Sequence, residues 1–505
     1  MYQIDWLALL PTLLVAGMGL LVMLLSAFME KQPARVGYFS LAGLLAIGVF
    51  VASYWASNPA PSTFFNDMVT VDSFSLFFYM LFLMIAAVSV LIAIPYLERD
   101  GMNRGEYYAL MFLSMAGMFV LVSSNDLITL FLGFETMSLA IYVLVGYRRT
   151  ATASNEAALK YYFLGAFAAG IFLYGIAFLY GAVGSTSLVA LHAHLVASDA
   201  LAQPLLVIGA LMVLSAIAFK IAAVPSHMWM PDIYEGAPSP VTAFMSTAVK
   251  AAAFALVMRV FLLVFGVGVL GTIGEQVIWW LAILTMFVGN LFAMAQKNVK
   301  RMLAYSSVAH TGYLLVGVAA LPDVDAGAAI MYYMVAYAFT NLGALACLSF
   351  LQGRDERLQT VDDLAGAGWR YPLLGLGMAV FMFSLIGFPP FAGFFGKYYL
   401  FLAAIKAGLM PLVVIAVINS ILSVYYYLRV VVVMFMRPEG MAPETAKVPA
   451  PLKVAVGYAM VAVVWAGIGM VNFTWLLPGA APLIAQAKAS AATLIAPGHA
   501  AQAKR

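Results

Sequence analysis

Apolar residues run in blocks of about twenty along almost the whole chain, and polar residues gather in the short connections between them. Fourteen such runs lie near 5–28, 36–56, 73–95, 106–123, 126–146, 156–180, 203–223, 239–262, 275–295, 301–320, 327–350, 372–400, 410–435 and 452–472. Each matches the roughly 20 residues that a helix needs to cross the hydrocarbon core of a bilayer. The pattern predicts an all-α polytopic membrane protein of about fourteen transmembrane helices. MYQIDW has no basic stretch and no small-residue cleavage site, so the first run is expected to be a retained span rather than a signal peptide.

The basic residues give the spans a direction, because Lys and Arg are retained on the cytoplasmic side. They mark alternate connections: Lys31 and Arg35 after span one, Arg99 and Arg104 after span three, Arg148 and Arg149 after span five. Lys297, Lys300 and Arg301, then Arg354, Arg357 and Arg370, then Arg437 and Lys447 resume the alternation. Both termini are therefore expected outside, with Lys406, Lys488, Lys504 and Arg505 as exceptions.

Two spans are interrupted at prolines, each with a lysine near the break. After span seven comes PSHMWMPDIYEGAPSP, without Lys or Arg, which reads as a re-entrant or broken-helix element rather than a free loop. Pro225 has no N–H to give the carbonyl of Ile221, and in GFPPFAGFFGK of span twelve Pro389 and Pro390 leave the carbonyls of Leu385 and Ile386 free. Such a gap is tolerated in lipid only against protein or water. Broken helices 7 and 12, five spans apart, predict two inverted five-helix repeats. The expected divisions are 1–105 for three leading helices, 106–265 and 270–436 for the repeats, and 437–505 for a last helix and an Ala-rich tail. The tail from Pro478 is expected to be partly disordered, and GSTSLVALHAHLVASDALAQ to form a short surface helix.

Composition agrees with a lipid solvent: 65% of the 505 residues are hydrophobic and 9% charged, with a mean hydropathy of +0.99. Against that background a buried charge is conspicuous, since one at mid-bilayer costs roughly 2.5–3.5 kcal/mol. Glu135 stands about nine residues into span five, and Lys220 and Lys250 lie in AIAFKIAAVP and STAVKAAAFA. Lys397 lies nearer the end of span twelve, where snorkelling to the surface is easier. Lys160 is only about one turn inside span six, so that alternative is strongest there. His227 beside the first break and His310 in span ten could each relay a proton or simply pack. Burial lowers the proton affinity of a lysine and a nearby carboxylate raises it, so moving one charge can change its neighbour's protonation. A row of such sites supports proton transfer, as a coupled set. His192 and His194 form an HxH without a third ligand, and a single Cys347 excludes a disulfide framework and argues against a zinc or iron–sulfur site.

The motifs FLGFETMSLAIYVLVGY, HMWMPDIYEGAPSPVTAFMSTAVKAAAFA, KNVKRMLAYSSVAHTGYLLVG and GFPPFAGFFGKYYLF together resemble the antiporter-like subunits of bacterial proton-pumping NADH–quinone oxidoreductase, respiratory complex I, and among them subunit N. The resemblance spans most of the chain, in the right order. It implies that Glu135, Lys220, Lys250 and Lys397 match the family's ionisable positions on helices five, seven, eight and twelve, with Lys160, His227 and His310 also on the proton path. It implies no cofactor in this chain, redox chemistry in other subunits of the complex, membrane-arm subunits M and K as neighbours, and a place in the bacterial inner membrane. A subunit of an Mrp-type cation/proton antiporter and a purely structural membrane-arm subunit are the alternatives.

Overall fold

Capping residues and prolines set where the helices begin. Asp72, Asp126, Asn298 and Asp323 each accept hydrogen bonds from N–H groups of the turn that follows. Prolines stand at the first or second position of four further helices, where a missing N–H costs little. The computed structural model describes residues 6–29, 33–57, 59–197, 203–265, 268–438, 447–468 and 481–503.

The chain starts with α1 (Trp6–Phe28) and α2 (Pro33–Ala56), followed by a hairpin of β1 (Ser62–Phe64) and β2 (Val69–Val71), paired antiparallel with Thr63 opposite Thr70. Next come α3 (Ser73–Arg99), α4 (Gly105–Ser123), α5 (Leu127–Val145), α6 (Thr152–Val183), the short α7 (Leu188–Ala197), α8 (Pro204–Lys220) and α9 (Trp229–Gly236). The eighth span is one rod made of α10 (Ser239–Phe244), a π turn (Met245–Val249), α11 (Lys250–Val260) and a second π turn (Phe261–Phe265). The second half comprises α12 (Gly268–Ala295), α13 (Val299–Ala319), α14 (Val324–Leu351), α15 (Ala367–Arg370), α16 (Pro372–Ile386), α17 (Ala392–Lys406), α18 (Met410–Met436), α19 (Ala450–Ile468) and α20 (Ala481–Ala503).

Among the described residues, twelve helices are continuous, long and apolar enough to cross a membrane. The two remaining expected spans are the proline-interrupted ones, built from α8 with α9 and from α16 with α17. The eighth span, α13 and α14 form the centre, with 94%, 89% and 89% of their apolar windows buried, against 33% for α1 and α2. Glycines allow close approach at the α4–α5 crossing, where a Cβ on Gly133 would stand 2.6 Å from the Leu121 nitrogen and one on Gly117 would stand 2.3 Å from that of Met137.

The break expected within 372–400 is present: α16 stops at Gly387, whose φ of +86° lets it end, and α17 begins at Ala392. One expectation changes. The tail expected to be partly disordered forms α20, with Ala487 and Ala491 fully buried and Ala491 beside Gly327. Small side chains pack there without raising the hydropathy that the sequence reading relied on. Lys406 and Lys488, exceptions to the charge asymmetry, both pair with Asp325 at 2.7 Å. The short helix expected in the 184–203 segment is α7, which buries Leu188, Leu191, His192 and Leu195. The other two basic exceptions, Lys504 and Arg505, lie outside the described residues.

Candidate proton-transfer site

Both helix breaks leave carbonyls free, and both sets are taken up by lysine chemistry. At the end of α16 the Lys397 ammonium, from the second turn of α17, donates to the carbonyls of Leu385 at 3.1 Å and Ile386 at 2.8 Å, and to the Ser420 hydroxyl at 2.8 Å. A cation at a helix C-terminus also meets the negative end of the dipole. Lys397 is 5% exposed, which removes the snorkelling alternative. It is buried because the break ends α16 and starts a new helix, whose second turn faces the carbonyls left free.

The first break uses an intermediary. Ala222, at φ +56°, ends α8 as Gly387 ends α16. The freed Ile221 carbonyl accepts from the Thr311 hydroxyl at 2.8 Å, and that hydroxyl accepts from Lys250 at 2.9 Å. Lys250 also donates to the Ser307 carbonyl at 2.5 Å and lies 5.4 Å from the centre of the Tyr337 ring. It follows directly on the π turn Met245–Val249, the kind of helix insertion that frequently marks functional positions.

Lys220, the last residue of α8, faces the other way. It donates to Ser138 at 2.6 Å, and Ser138 donates to the Phe134 carbonyl. The rings of Phe134 and Tyr161 lie 4.8 and 5.6 Å from its ammonium. Glu135 is half-buried on the same turn of α5 as Phe134, and its Oε1 is buried without a hydrogen-bond partner. The two charges are electrostatically coupled without forming an ion pair, because Ser138 holds the ammonium.

His310 connects the central and outer parts of the row. Its Nδ1 meets the Tyr333 hydroxyl and its Nε2 that of Tyr427 at 2.9 Å; Tyr427 also bonds Ser306. The Tyr337 ring lies 5.1 Å from the imidazole, and Tyr337 donates to Ser307 at 2.9 Å, beside Lys250. On the other side the Tyr313 ring is 5.7 Å from His310 and 4.8 Å from the Lys397 ammonium. A cavity of about 10 Å³ bordered by His310, Thr340, Ser384 and Leu385 leaves room for about one water between them.

The structure does not bring every expected residue into this row. Lys160 has a side chain 43% exposed and pairs with Glu156 at 2.7 Å and Asp232 at 3.0 Å. His227 is 8% exposed with Nδ1 unbonded, and its ring is 6.4 Å from Tyr305. His192 Nδ1 lies 3.2 Å from the Leu263 carbonyl and His194 Nε2 3.0 Å from Gln203. Among the described residues no group of three His, Cys, Asp or Glu is placed to hold a metal.

Other buried charges escaped the sequence reading. Arg259, 2% exposed, donates to the Val122 carbonyl at 2.7 Å and Asn125 at 2.8 Å, with Asp72 at 3.5 Å; its depth in FALVMRVFLLV was a visible signal. Lys300 and Glu356 pair at 2.8 Å with side chains 2% and 5% exposed. Nothing in GRDERLQT separates Glu356 from an ordinary loop charge.

Comparison with known proteins gives this geometry a context. Residues 124–423 match the family model described as NADH:quinone oxidoreductase/Mrp antiporter, transmembrane. NADH-quinone oxidoreductase subunit N of Trichlorobacter lovleyi is 42% identical over 447 residues, covering 88% of this chain and 91% of that protein. The subunit N of Salinibacter ruber is 44% identical, covering 84% and 83%. Among solved structures, a chain of respiratory complex I from Thermus thermophilus superposes with a TM-score of 0.77 at 33% identity, covering 93% of this chain and all of that one. A chain of the Mrp complex from Dietzia shares the fold, with a TM-score of 0.81 at 22% identity and 99% of each chain covered. The chain belongs to the NADH-quinone oxidoreductase subunit N family, within the antiporter-like membrane proteins that this family model describes.

Proposed function

We propose that this chain translocates protons as a membrane subunit of NADH:quinone oxidoreductase, along Glu135, Lys220, Lys250, His310 and Lys397. The observation that carries the reading is the pairing of each helix break with a lysine, directly at Lys397 and through Thr311 at Lys250. A lysine held by carbonyls and hydroxyls, without a carboxylate in contact, keeps its charge through groups that also serve its neutral form as partners. A neighbouring charge can then tip it: two unit charges about 10 Å apart at an effective dielectric of 20 interact by roughly 1.7 kcal/mol, more than tenfold in proton occupancy.

Within this reading Glu135 biases Lys220 through space rather than by direct contact, which leaves both free to exchange protons. Protons pass between Lys250 and Lys397 through His310, whose neutral ring accepts on one nitrogen and donates on the other. Lys160 and His227 serve the approach to Lys220, Lys160 at the surface with Asp232. The redox groups belong to other subunits, and subunits M and K are the neighbours. Both termini face outside; the pairing of Lys406 and Lys488 with Asp325 supports this by offsetting part of the charge of two basic exceptions to the asymmetry.

Mild-detergent purification followed by reconstitution tests the function. NADH-oxidising partner subunits and NADH-driven acidification of vesicles are expected. Exchange of cations for protons by a small all-membrane assembly indifferent to NADH would overturn it.

A further inference from the structure

Glu356 is a buried carboxylate that the proton row does not use. It is 4% exposed and lies in the connection after α14. It accepts four hydrogen bonds: from the Tyr96 hydroxyl of α3 at 2.7 Å, the Ser239 N–H at 2.8 Å, the Ser239 hydroxyl at 2.6 Å and the Lys300 ammonium at 2.8 Å. Lys300 also donates to the Ala237 carbonyl at 2.5 Å. Arg148 extends the cluster by bonding Tyr96 and, at 2.8 Å, Asp100. Asp355 and Glu356 hold left-handed backbones, with φ of +56° and +54°. Neither is glycine, so the chain is strained where it delivers this carboxylate, and such strain persists only where the surroundings enforce it.

Two of the three donor residues begin the helices that build the Lys250 site. Ser239 opens the eighth span and Lys300 stands in the first turn of α13. Lys250 lies eleven residues beyond Ser239, and Thr311 eleven beyond Lys300. At 1.5 Å per residue both points stand about 16 Å from the carboxylate along parallel helices, and there Lys250 meets Thr311 at 2.9 Å. We propose that Glu356 is a positioning residue for Lys250: one carboxylate brackets the starts of both helices and so sets the register in which Lys250 reaches Thr311 and the Ser307 carbonyl. Burial alone would raise the Glu356 carboxyl, but Lys300, Arg148 and the bond from Ser239 outweigh it and hold it down to about 2. The bracket is therefore charged throughout the working pH range.

The inference rests on Lys250 being on the proton path, and the test separates the two. Protons moved per NADH oxidised are measured in membranes containing equal amounts of assembled complex. Glu356→Gln leaves Lys300 without its charge partner and is expected to lower the ratio roughly two-fold or more, whereas a role in assembly alone changes the amount of complex and not the ratio. The double variant Glu356→Gln/Lys300→Gln removes the uncompensated charge and recovers most of the loss. Ser239→Ala, which keeps the ion pair and the backbone bond, lowers the ratio less and in the same direction, and serves where Glu356→Gln does not assemble. A parental ratio in Glu356→Gln or Ser239→Ala, or no recovery in the double variant, overturns the bracket when Lys250→Ala is impaired. A parental ratio in Lys250→Ala overturns the path itself.

Discussion

Thr311→Val removes one hydroxyl at the point where the first helix break meets Lys250. Valine has nearly the shape of threonine, so packing around a residue that is fully buried changes little. Three bonds are lost: the one from Lys250 at 2.9 Å, the one to the Ile221 carbonyl at 2.8 Å and a longer one to the Ser307 carbonyl at 3.2 Å. A hydrogen bond to a charged group contributes about 1.5–3 kcal/mol, and an orphaned buried carbonyl costs about 1–3 kcal/mol. If the first amount is withdrawn from charged Lys250, the step that charges it slows roughly ten- to a hundred-fold, at 1.36 kcal/mol per factor of ten. Lys250 keeps its bond to the Ser307 carbonyl at 2.5 Å, so the site is weakened rather than abolished. NADH-driven acidification of inverted vesicles, divided by NADH oxidation, reads the effect. Thr311→Ser, which keeps the hydroxyl, is expected to stay near the parental value. Parental pumping in Thr311→Val would refute the claim that this hydroxyl couples the break to Lys250.

Three other outcomes follow from the same geometry. Lys160→Ala is expected to reduce pumping less than about five-fold, since an ion pair this exposed is worth on the order of 1 kcal/mol or less and Asp232 keeps Arg301 at 2.7 Å; a loss matching that of Lys250→Ala in the same vesicle assay would contradict it. The Glu356 carboxyl, held at about 2, lies below its unfolded value of about 4.3, so its stabilisation is complete above that value and disappears as pH falls through about 2. Thermal unfolding in detergent should therefore show parental protein and Glu356→Gln far apart at pH 7 and converging towards pH 2. Asp325→Asn releases Lys406 and Lys488 together; trypsin should cut at Lys488 faster while pumping is unchanged.

The legible parts of the molecule were those that local chemistry decides. Proline identifies which carbonyls lose their partners, so Ile221, Leu385 and Ile386 were nameable before any contact was known. The partner was local at Lys397 and not at the first break, where Lys220 is adjacent in sequence but turns to Ser138 and the carbonyl goes to Thr311, 90 residues away. Hydropathy found the spans because lipid demands it, and missed α20 because buried alanines pack through small size rather than strong apolarity. Glu356 was out of reach for another reason: its burial comes from residues 56, 117 and 260 positions away. A loop carboxylate carries no local mark of that.

The central claim is that protons cross this chain through Lys250. Lys250→Met, which fills the same space without a charge, is the most direct probe: protons moved per NADH oxidised should fall well below parental in membranes with fully assembled complex. A parental ratio in that variant would contradict the account.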